Sequence, residues 1–440
     1  MARAKKETAL TPEERLQAAL VPDWEWPYKL PENWCWLKLV ESFDNHTDSK
    51  KKIKQKDYLV KGRLAVVDQG QELIGGYTND VEKSYSGTLP VVIFGDHTRC
   101  IKFVDFPFAQ GADGVKVLRP KPFYLPKAFY YALQSVNIPN LGYRRHFPLF
   151  NKFSIPLPPF AEQQRIVDRI ESLFAKLDEA KEKAQAVVDS FEARKAAILH
   201  KAFTGELTAK WREEHGVGME SWRTISFKDV CKKITDGTHH SPINTENGEY
   251  MYITAKNIKE NGIDLTNITF VSKDVHEEIY SRCDVQYGDV LYIKDGATTG
   301  IATVNTIDKP FSLLSSVAVL RPDKKQILAE YMAYNLNSSK TKTMMISSMS
   351  GNAITRLTLS KIKAASITIC SLDEQEEIVR LIDDLLGKEQ QVKETAEIVL
   401  NQIDLMKKSI LARAFRGELG TNDPSEESAV KLLKEIIRRG

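Results

Sequence analysis

No apolar run in this sequence approaches the roughly 18 to 20 residues needed to span a bilayer, so no membrane partner is expected. The opening MARAKKETALTPEERLQAAL lacks the apolar core of a secretion signal. Cysteine is scarce. Cys35, Cys100, Cys231, Cys283 and Cys370 are odd in number, scattered and never spaced CxxC. That excludes a disulfide framework and a zinc site, and it points to a reducing, cytoplasmic setting.

Recognisable chemistry is missing too. No Ser/His/Asp or paired-carboxylate constellation stands out. LPPF (157–160) imitates the [Asp/Asn]ProProPhe motif of amino-methyltransferases, but Leu157 cannot accept a hydrogen bond from a target amine. DFPF (105–108) fails by its inserted Phe. HGVG (215–218) follows a helical pattern rather than a strand, and Gly387–Lys388 lacks the other glycine of a phosphate loop. His239 and His240 have no carboxylate or Cys pattern to complete a metal site, so no metal is expected and the pair reads as loop residues. The sequence looks like a reader without an active site, holding no cofactor of its own.

A third absence is informative. The net charge is only +3, yet 114–161 contains no Asp or Glu and seven bases: Lys116, Arg119, Lys121, Lys127, Arg144, Arg145 and Lys152. The stretch 331–372 also has no acid, with Lys340, Lys342, Arg356, Lys361 and Lys363. A third cluster, 50–63, carries seven bases and one acid. Two acid-free stretches in equivalent places imply two polyanion-binding faces, with nucleic acid the expected partner.

What is present is a repeat. ILHKAFTGEL (198–207) returns as ILARAFRGEL (410–419), seven of ten identical at an offset of 212. The same offset holds back to Ser154 and Ser366. A register kept for over fifty residues is what a long helix demands, because one insertion turns everything beyond it by about 100°. The apolar spacing agrees. Ile166, Ile170, Leu173, Leu177, Ala180, Ala184, Val187, Phe191 and Ile198 form a heptad seam broken only by Arg194. Ile378, Ile382, Leu385, Val392, Ala396, Val399, Ile403, Met406 and Ile410 form its counterpart, broken at Glu389. Ser371 and Glu374 resemble a capping box, Pro158 and Pro159 suit a helix start, and Gly205 and Gly417 suit helix ends. Two such helices predict an antiparallel coiled coil of about 43 residues a side, roughly 60 to 65 Å long.

Each helix follows a region that reads as β-rich, with strands predicted at 89–94, 102–106, 250–254, 289–294 and 301–305. Trp34 and Trp222 open the two regions at an offset of 188, and VKVLRP (115–120) echoes VAVLRP (317–322) at 202. The drifting offset means a common scaffold with loops of different length, as recognition domains have. The expected fold is therefore α+β: two β-rich domains in pseudo-two-fold tandem, separated by two long antiparallel helices. Its predicted parts are a helical segment 1–29, recognition domains 30–157 and 207–369, long helices 158–206 and 370–418, and a helical tail 419–440. The amphipathic stretches 13–20 and 425–440 are expected to pack together.

PLPPFAEQQRIVDRIESLF (156–174), its partial copy SLDEQEEIVRLI (371–382) and the FxGEL endings resemble the specificity subunit of type I restriction–modification systems. The resemblance covers nearly the whole chain. DGTHHSP (236–242), YITAKNI (252–258) and YIKDGATTGI (292–301) look like a common form of that family's recognition domain. LIGGYTND (73–80) and VVIFGDHTRCIKFVDFPF (91–108) look like a second form, in which Gly95–Thr98 replaces the KxGxxxG of Lys294, Gly296 and Gly300. The resemblance implies a non-catalytic subunit that binds double-stranded DNA and two methylation subunits. Those partners carry S-adenosylmethionine and modify adenine N6. Two restriction subunits, motor-nucleases using ATP and Mg, are also implied. The target would be bipartite, with the helices holding its halves about two duplex turns apart.

Base edges need bidentate or small polar side chains on loops, and phosphates need Lys, Arg and amides. The residues predicted to contact DNA are Tyr77, Thr78, Asp96, His97, Thr98, Arg99, Tyr143, Arg144 and Arg145 in the first domain. In the second they are Thr238, His239, His240, Lys256, Asn257, Lys294, Asp295, Thr298, Asn352, Thr355 and Arg356. Two rivals remain at this stage: a self-contained DNA methyltransferase or nuclease with a diverged motif, and a coiled-coil protein that binds no DNA.

Overall fold

The computed structural model of the protein describes residues 11–348 and 357–439. Before the long helices come α1 (Pro12–Ala19), β1 (Cys35–Lys38), β2 (Phe43–Asn45), β3 (Leu64–Val67), β4 (Gly76–Thr78), β5 (Val91–Gly95), β6 (Ile101–Val104), β7 (Phe108–Gln110), β8 (Val115–Pro120), α2 (Pro126–Ser135) and β9 (Ser154–Leu157). Then come α3 (Phe160–Asp189), α4 (Phe191–Phe203) and α5 (Ala209–His215). The second strand-rich stretch holds β10 (Arg223–Ser226), α6 (Phe227–Val230), β11 (Cys231–Asp236), β12 (Tyr250–Ile253), β13 (Ile258–Lys259), β14 (Gly262–Ile263), β15 (Thr269–Val271), α7 (Lys273–Arg282), β16 (Val290–Ile293), β17 (Ala302–Val304), β18 (Ser312–Leu313), β19 (Val317–Pro322), α8 (Ala329–Asn337), α9 (Ser339–Ser347), α10 (Leu359–Ala364) and β20 (Ser366–Ile369). The chain closes with α11 (Leu372–Ala414) and α12 (Ala429–Arg439). All five predicted strands are present, with ends shifted by two residues or fewer.

Contacts divide the chain into two compact units, Met1–Ala184 with Ile398–Gly440, and Gln185–Glu397. The same sheets recur in each. The first unit has a four-stranded sheet ordered β2-β8-β5-β6 and a three-stranded sheet β4-β3-β7. The second has β11-β19-β16-β17 and β15-β12-β18. The parallel strand pairing in each, β3 with β7 and β12 with β18, is also repeated. Val92 faces Leu118 across the ladder as Val290 faces Leu320.

The central strands explain why VVIF and VLYI are apolar throughout rather than alternating: both faces are covered. Val92 and Phe94 point into the core shared with the helices, while Val91 and Ile93 point into a second, smaller core with Val67 and Phe108. Val290 and Tyr292 divide from Leu291 and Ile293 in the same way.

The long helices run antiparallel within each unit. In the first, Ile166 and Ile170 near the start of α3 share a core with Leu411 and Phe415 near the end of α11. Lys407 pairs with Asp178 at 2.5 Å and lies over the Phe174 ring. In the second, Leu199 and Ala202 meet Ile378 and Ile382, and Lys393 covers Phe191. The two residues that interrupt the heptad seams meet each other: Arg194 Nε lies 2.6 Å from Glu389 Oε2.

Two expectations about the helices are corrected. The first rod is not continuous: it breaks at Ser190, whose hydroxyl donates to Ala186 O at 2.5 Å while Arg194 Nη2 takes Val187 O. Back-bonding of this kind competes with the helix ladder and bends it. In α11, Val392 and Met406 are about half exposed rather than in the seam (50% and 46%).

A buried carboxylate and amide fasten the start of each long helix. Glu162 accepts the Trp34 indole N–H at 2.7 Å, and Glu374 accepts that of Trp222 at 3.0 Å. Thr421 Oγ1 donates to Glu162, as Thr208 Oγ1 does to Glu374. The neighbouring amides repeat the match. Gln163 accepts Leu125 N and donates to Phe123 O and Pro158 O; Gln375 accepts Leu328 N and donates to Gln326 O and Cys370 O. All four side chains are at most 1% exposed. The FxGEL phrase recurs because the turn after one long helix must deliver a threonine to the carboxylate that begins the other. Gly205 and Gly417 make that turn at φ 81° and 75°, where glycine alone is unstrained. The predicted capping box is only half formed: Ser371 accepts Glu374 N at 3.4 Å, but the Glu374 carboxylate turns inward.

In the first unit α1 packs on α12 as expected, with Leu16, Ala19, Ala429 and Leu433 in one core and Arg438 Nη2 3.0 Å from Glu13 Oε1. Burial pushes the Cys35, Cys231, Cys283 and Cys370 thiols up to about 12, so these are packing residues.

Glu374→Ala would leave the Trp222 indole, the Thr208 hydroxyl and the Arg212 guanidinium without their acceptor. We expect a loss of about 3–5 kcal/mol in urea unfolding, and a smaller loss for Glu374→Gln. A cost under about 1 kcal/mol would show that the carboxylate does not fasten the helix. For the seam, replacing both Arg194 and Glu389 by Leu should be neutral or stabilising in the same assay, whereas Arg194→Ala alone should cost about 1–3 kcal/mol.

Candidate nucleic-acid interface

Each central strand ends in a loop that the acid-free stretch holds down. Asp96 N donates to Gly114 O at 2.7 Å, and Asp96 O accepts His146 N at 2.8 Å. Lys294 N donates to Ser316 O at 2.9 Å, and Lys294 O accepts Leu357 N at 3.3 Å. Asp96 and Lys294 therefore occupy the same place in the two ladders.

In the first unit the fastening continues through side chains. Asp96 Oδ1 accepts Phe147 N at 2.7 Å. His146 is fully buried and its Nε2 accepts Leu141 N at 3.0 Å. Its other ring nitrogen, 2.8 Å from Asp96 O, must then carry the proton. The result is a rigid platform for the tip of the loop. The Tyr143 ring, 88% exposed, stacks on His97 with centroids 5.0 Å apart and planes 18° off parallel. Arg144 and Arg145 are exposed beside it. Thr98 Oγ1 donates to Gln69 O at 2.6 Å, and Arg99, at φ 62°, donates through Nη1 to Ile138 O. An exposed aromatic face flanked by guanidinium groups can stack on bases and pair with phosphates.

Tyr77 and Thr78 come from another element. They lie on β4, whose Tyr77 exchanges both backbone hydrogen bonds with Leu59 at 2.9 Å, so this strand anchors the basic loop 50–63. Thr78 is buried and accepts Asp80 N.

The second unit presents two clefts with a shared wall at Leu314 and Ser316. One, of about 690 Å³, is lined by His239, Lys294 and Asp295 together with Asp236, Arg282 and Thr358. The other, of about 670 Å³, takes Lys256 and Asn257 with Asn244 and Lys259. Lys294 is nearly buried and ion-paired, 2.9 Å from Asp295 Oδ2 and 3.4 Å from Asp236 Oδ2. Asp236 also faces Arg282 at 3.2 Å and His239 at 3.5 Å. Asn257 closes its own turn, accepting Thr254 N and donating to Asp264 O. Thr238 joins the wall through backbone bonds to Leu313 O and Ser315 N, while His240 and Thr298 are exposed at loop tips. Gly296 and Gly300 hold this loop at φ 107° and 100°. Asn352, Thr355 and Arg356 lie outside the described residues. Sequence reasoning missed Asp236 and Arg282. Asp236 opens the quoted DGT, a usable signal; Arg282 comes from α7 and carries none. Among the described residues no group of three or more His, Cys, Asp and Glu is placed to hold a metal ion, and no helix is long and apolar enough to cross a membrane.

The shared wall rests on a buried histidine. His276 stacks on Tyr250 (4.1 Å, 12°), and its Nδ1 lies 3.0 Å from Ser312 Oγ on β18. Burial lowers its pKa below the usual imidazole value. A neutral folded imidazole means that the unfolded chain takes up the proton first on acidification. Its contribution is therefore present above about pH 6.5 and is lost as the pH falls from there toward the folded value. We expect the ring signals of His276 to titrate with a midpoint below about 6.5, and the stability of the native chain relative to His276→Phe to decline between about pH 7 and 5. A pH-independent difference would contradict this.

With the geometry in place, comparisons with known proteins converge. A sequence model of the family described as "Type I restriction modification DNA specificity domain" matches residues 31–188 and 219–401. The chain is 26% identical over 429 residues to the type I restriction enzyme EcoBI specificity subunit of Escherichia coli, covering 90% of this chain and 87% of that one. Its fold resembles the HsdS subunit from Thermoanaerobacter tengcongensis (TM-score 0.57, 17% identity, 90% of this chain and 99% of that one). It also resembles a chain from a study of complex assembly and conformational transition of the type I R-M system (TM-score 0.61, 19% identity, 89% and 100%). With the family model covering both strand-rich stretches and most of α3 and α11, the chain belongs to the specificity subunits of type I restriction–modification systems, the non-catalytic subunits that recognise the DNA target.

Proposed function

We propose that this subunit reads a bipartite double-stranded DNA target, one half with residues 30–157 and the other with 207–369, and that the helices 158–206 and 370–418 set the unread gap between them. The observation that carries this reading is the duplicated fastening: Trp34, Glu162 and Gln163 in one copy, Trp222, Glu374 and Gln375 in the other, with the same partners. Identical scaffolds below and dissimilar loops above suit a reader whose halves differ in sequence. The strand-end loops are stacked and basic in the first unit and mixed in charge in the second. The 1–29 segment and the 419–440 tail belong to the face that receives two methylation subunits. Those subunits bring S-adenosylmethionine to adenine N6, and two restriction subunits add ATP- and Mg-dependent translocation and cleavage.

The test is to express the chain with the methylation gene of its locus and map N6-methyladenine by single-molecule sequencing. A split motif with a fixed gap is expected, and exchanging residues 30–157 should change one block alone. A continuous motif would overturn the reading. For Arg144→Ala we expect recognition of the first block alone to weaken, by about 1–3 kcal/mol if the side chain reads a base. An equal loss on specific and random duplexes, with a shallower salt dependence, would assign it to phosphate instead.

A further inference from the structure

We propose that Asp295 recognises an exocyclic amine, cytosine N4 or adenine N6, on the major-groove edge of a base in the half-site read by the second unit; this rests on the DNA-reading function proposed above. The carboxylate is unevenly used. Oδ2 is held 2.9 Å from Lys294 Nζ, whereas Oδ1 is buried and has no hydrogen-bond partner among the described residues. The hydroxyl of Ser316, which lines the same cleft, is also buried and has no partner among the described residues. An acceptor left in this condition costs the folded protein free energy, and a ligand that supplies the donor recovers it.

The cleft has the size and position for that ligand. Its volume of about 690 Å³ falls in the range of sites that enclose a small planar group. It opens where the central strand ends, at the loop turned by Gly296 and Gly300. The Asp295 side chain is 20% exposed, and the carboxylate torsion of Asp is broad, so a modest rotation presents Oδ1 to the cleft while Lys294 keeps its charge. Lys294 is fixed from the other side by Asp236, so the acceptor stands on a rigid base.

Chemistry then selects the base. A carboxylate paired in this way only accepts. On the major-groove edge, cytosine and adenine offer an amine, while guanine and thymine present acceptors, which a carboxylate repels. The first unit has no such reader at the matching place: there His97 stands, its ring stacked on Tyr143.

The test uses the chain in complex with its methylation subunits. Asparagine both donates and accepts, so Asp295→Asn should relax one position of one block, admitting G or T where the native complex admits only C or A on that strand. The other block and the gap should stay as they were. The native base at that position distinguishes cytosine from adenine. Native binding to a duplex lacking that amine should fall by about tenfold or more. Asp295→Glu keeps the charge facing Lys294 and moves the acceptor by a methylene. It should lose discrimination at the same position, and it serves if Asp295→Asn does not fold. An unchanged motif in both variants overturns the proposal, as does a loss spread evenly over both blocks, which marks a folding role. A native complex with no sequence-dependent methylation or binding would overturn the DNA-reading function itself, and this inference with it.

Discussion

Everything else in each unit depends on one buried glutamate and the glutamine beside it. Glu162 and Gln163 sit in the first turn of α3. Between them they hold the Trp34 indole, the backbone before α2, the end of β9 and the turn after α11. Glu374 and Gln375 do the same for the second unit with Trp222, α8, β20 and the turn after α4. A buried carboxylate tolerates little change in its donors, because each one lost leaves charge uncompensated. That intolerance keeps four separate stretches of chain in one place and leaves the loops beyond the sheets free to differ.

The central strands turn this constraint into a separation of tasks. Alternate side chains of β5 and β16 pack toward the helices or toward the three-stranded sheet. The strand is thus anchored on the helix side whatever is built at its end. Its last residues feed the Asp96 and Lys294 loops, where the units diverge: an exposed Tyr143–His97 stack with two arginines on one side, a lysine held between two carboxylates on the other.

Much of this was legible in the sequence because helices and ladders have fixed periods. The constant offset of 212 and the heptad spacing disclosed the long helices, and Trp34 and Trp222 marked where the two strand-rich regions open. The apolar runs disclosed the central strands. What escaped depends on contacts between distant residues. Nothing local tells that Glu374 will face Trp222 and Arg212 instead of capping its own helix, or that Arg282 will reach Asp236 from α7. The Ser190 break arises from a hydroxyl and a guanidinium competing for carbonyls, which no periodicity records. Asp96 reads as a loop residue that contacts DNA; its burial follows from the return of Leu141–Phe147 over it.

The ion pair of Arg194 with Glu389 has a consequence for assembly. A purely apolar heptad seam fits nearly as well after sliding by seven residues, about 10 Å along the axis. Placing one cation and one anion opposite each other, in layers otherwise apolar, removes that degeneracy, since any slipped pairing leaves both charges facing hydrocarbon. The pair works as a tooth in a gauge. It adds little holding force, yet it permits one engagement of the two helices and makes every neighbouring setting a misfit.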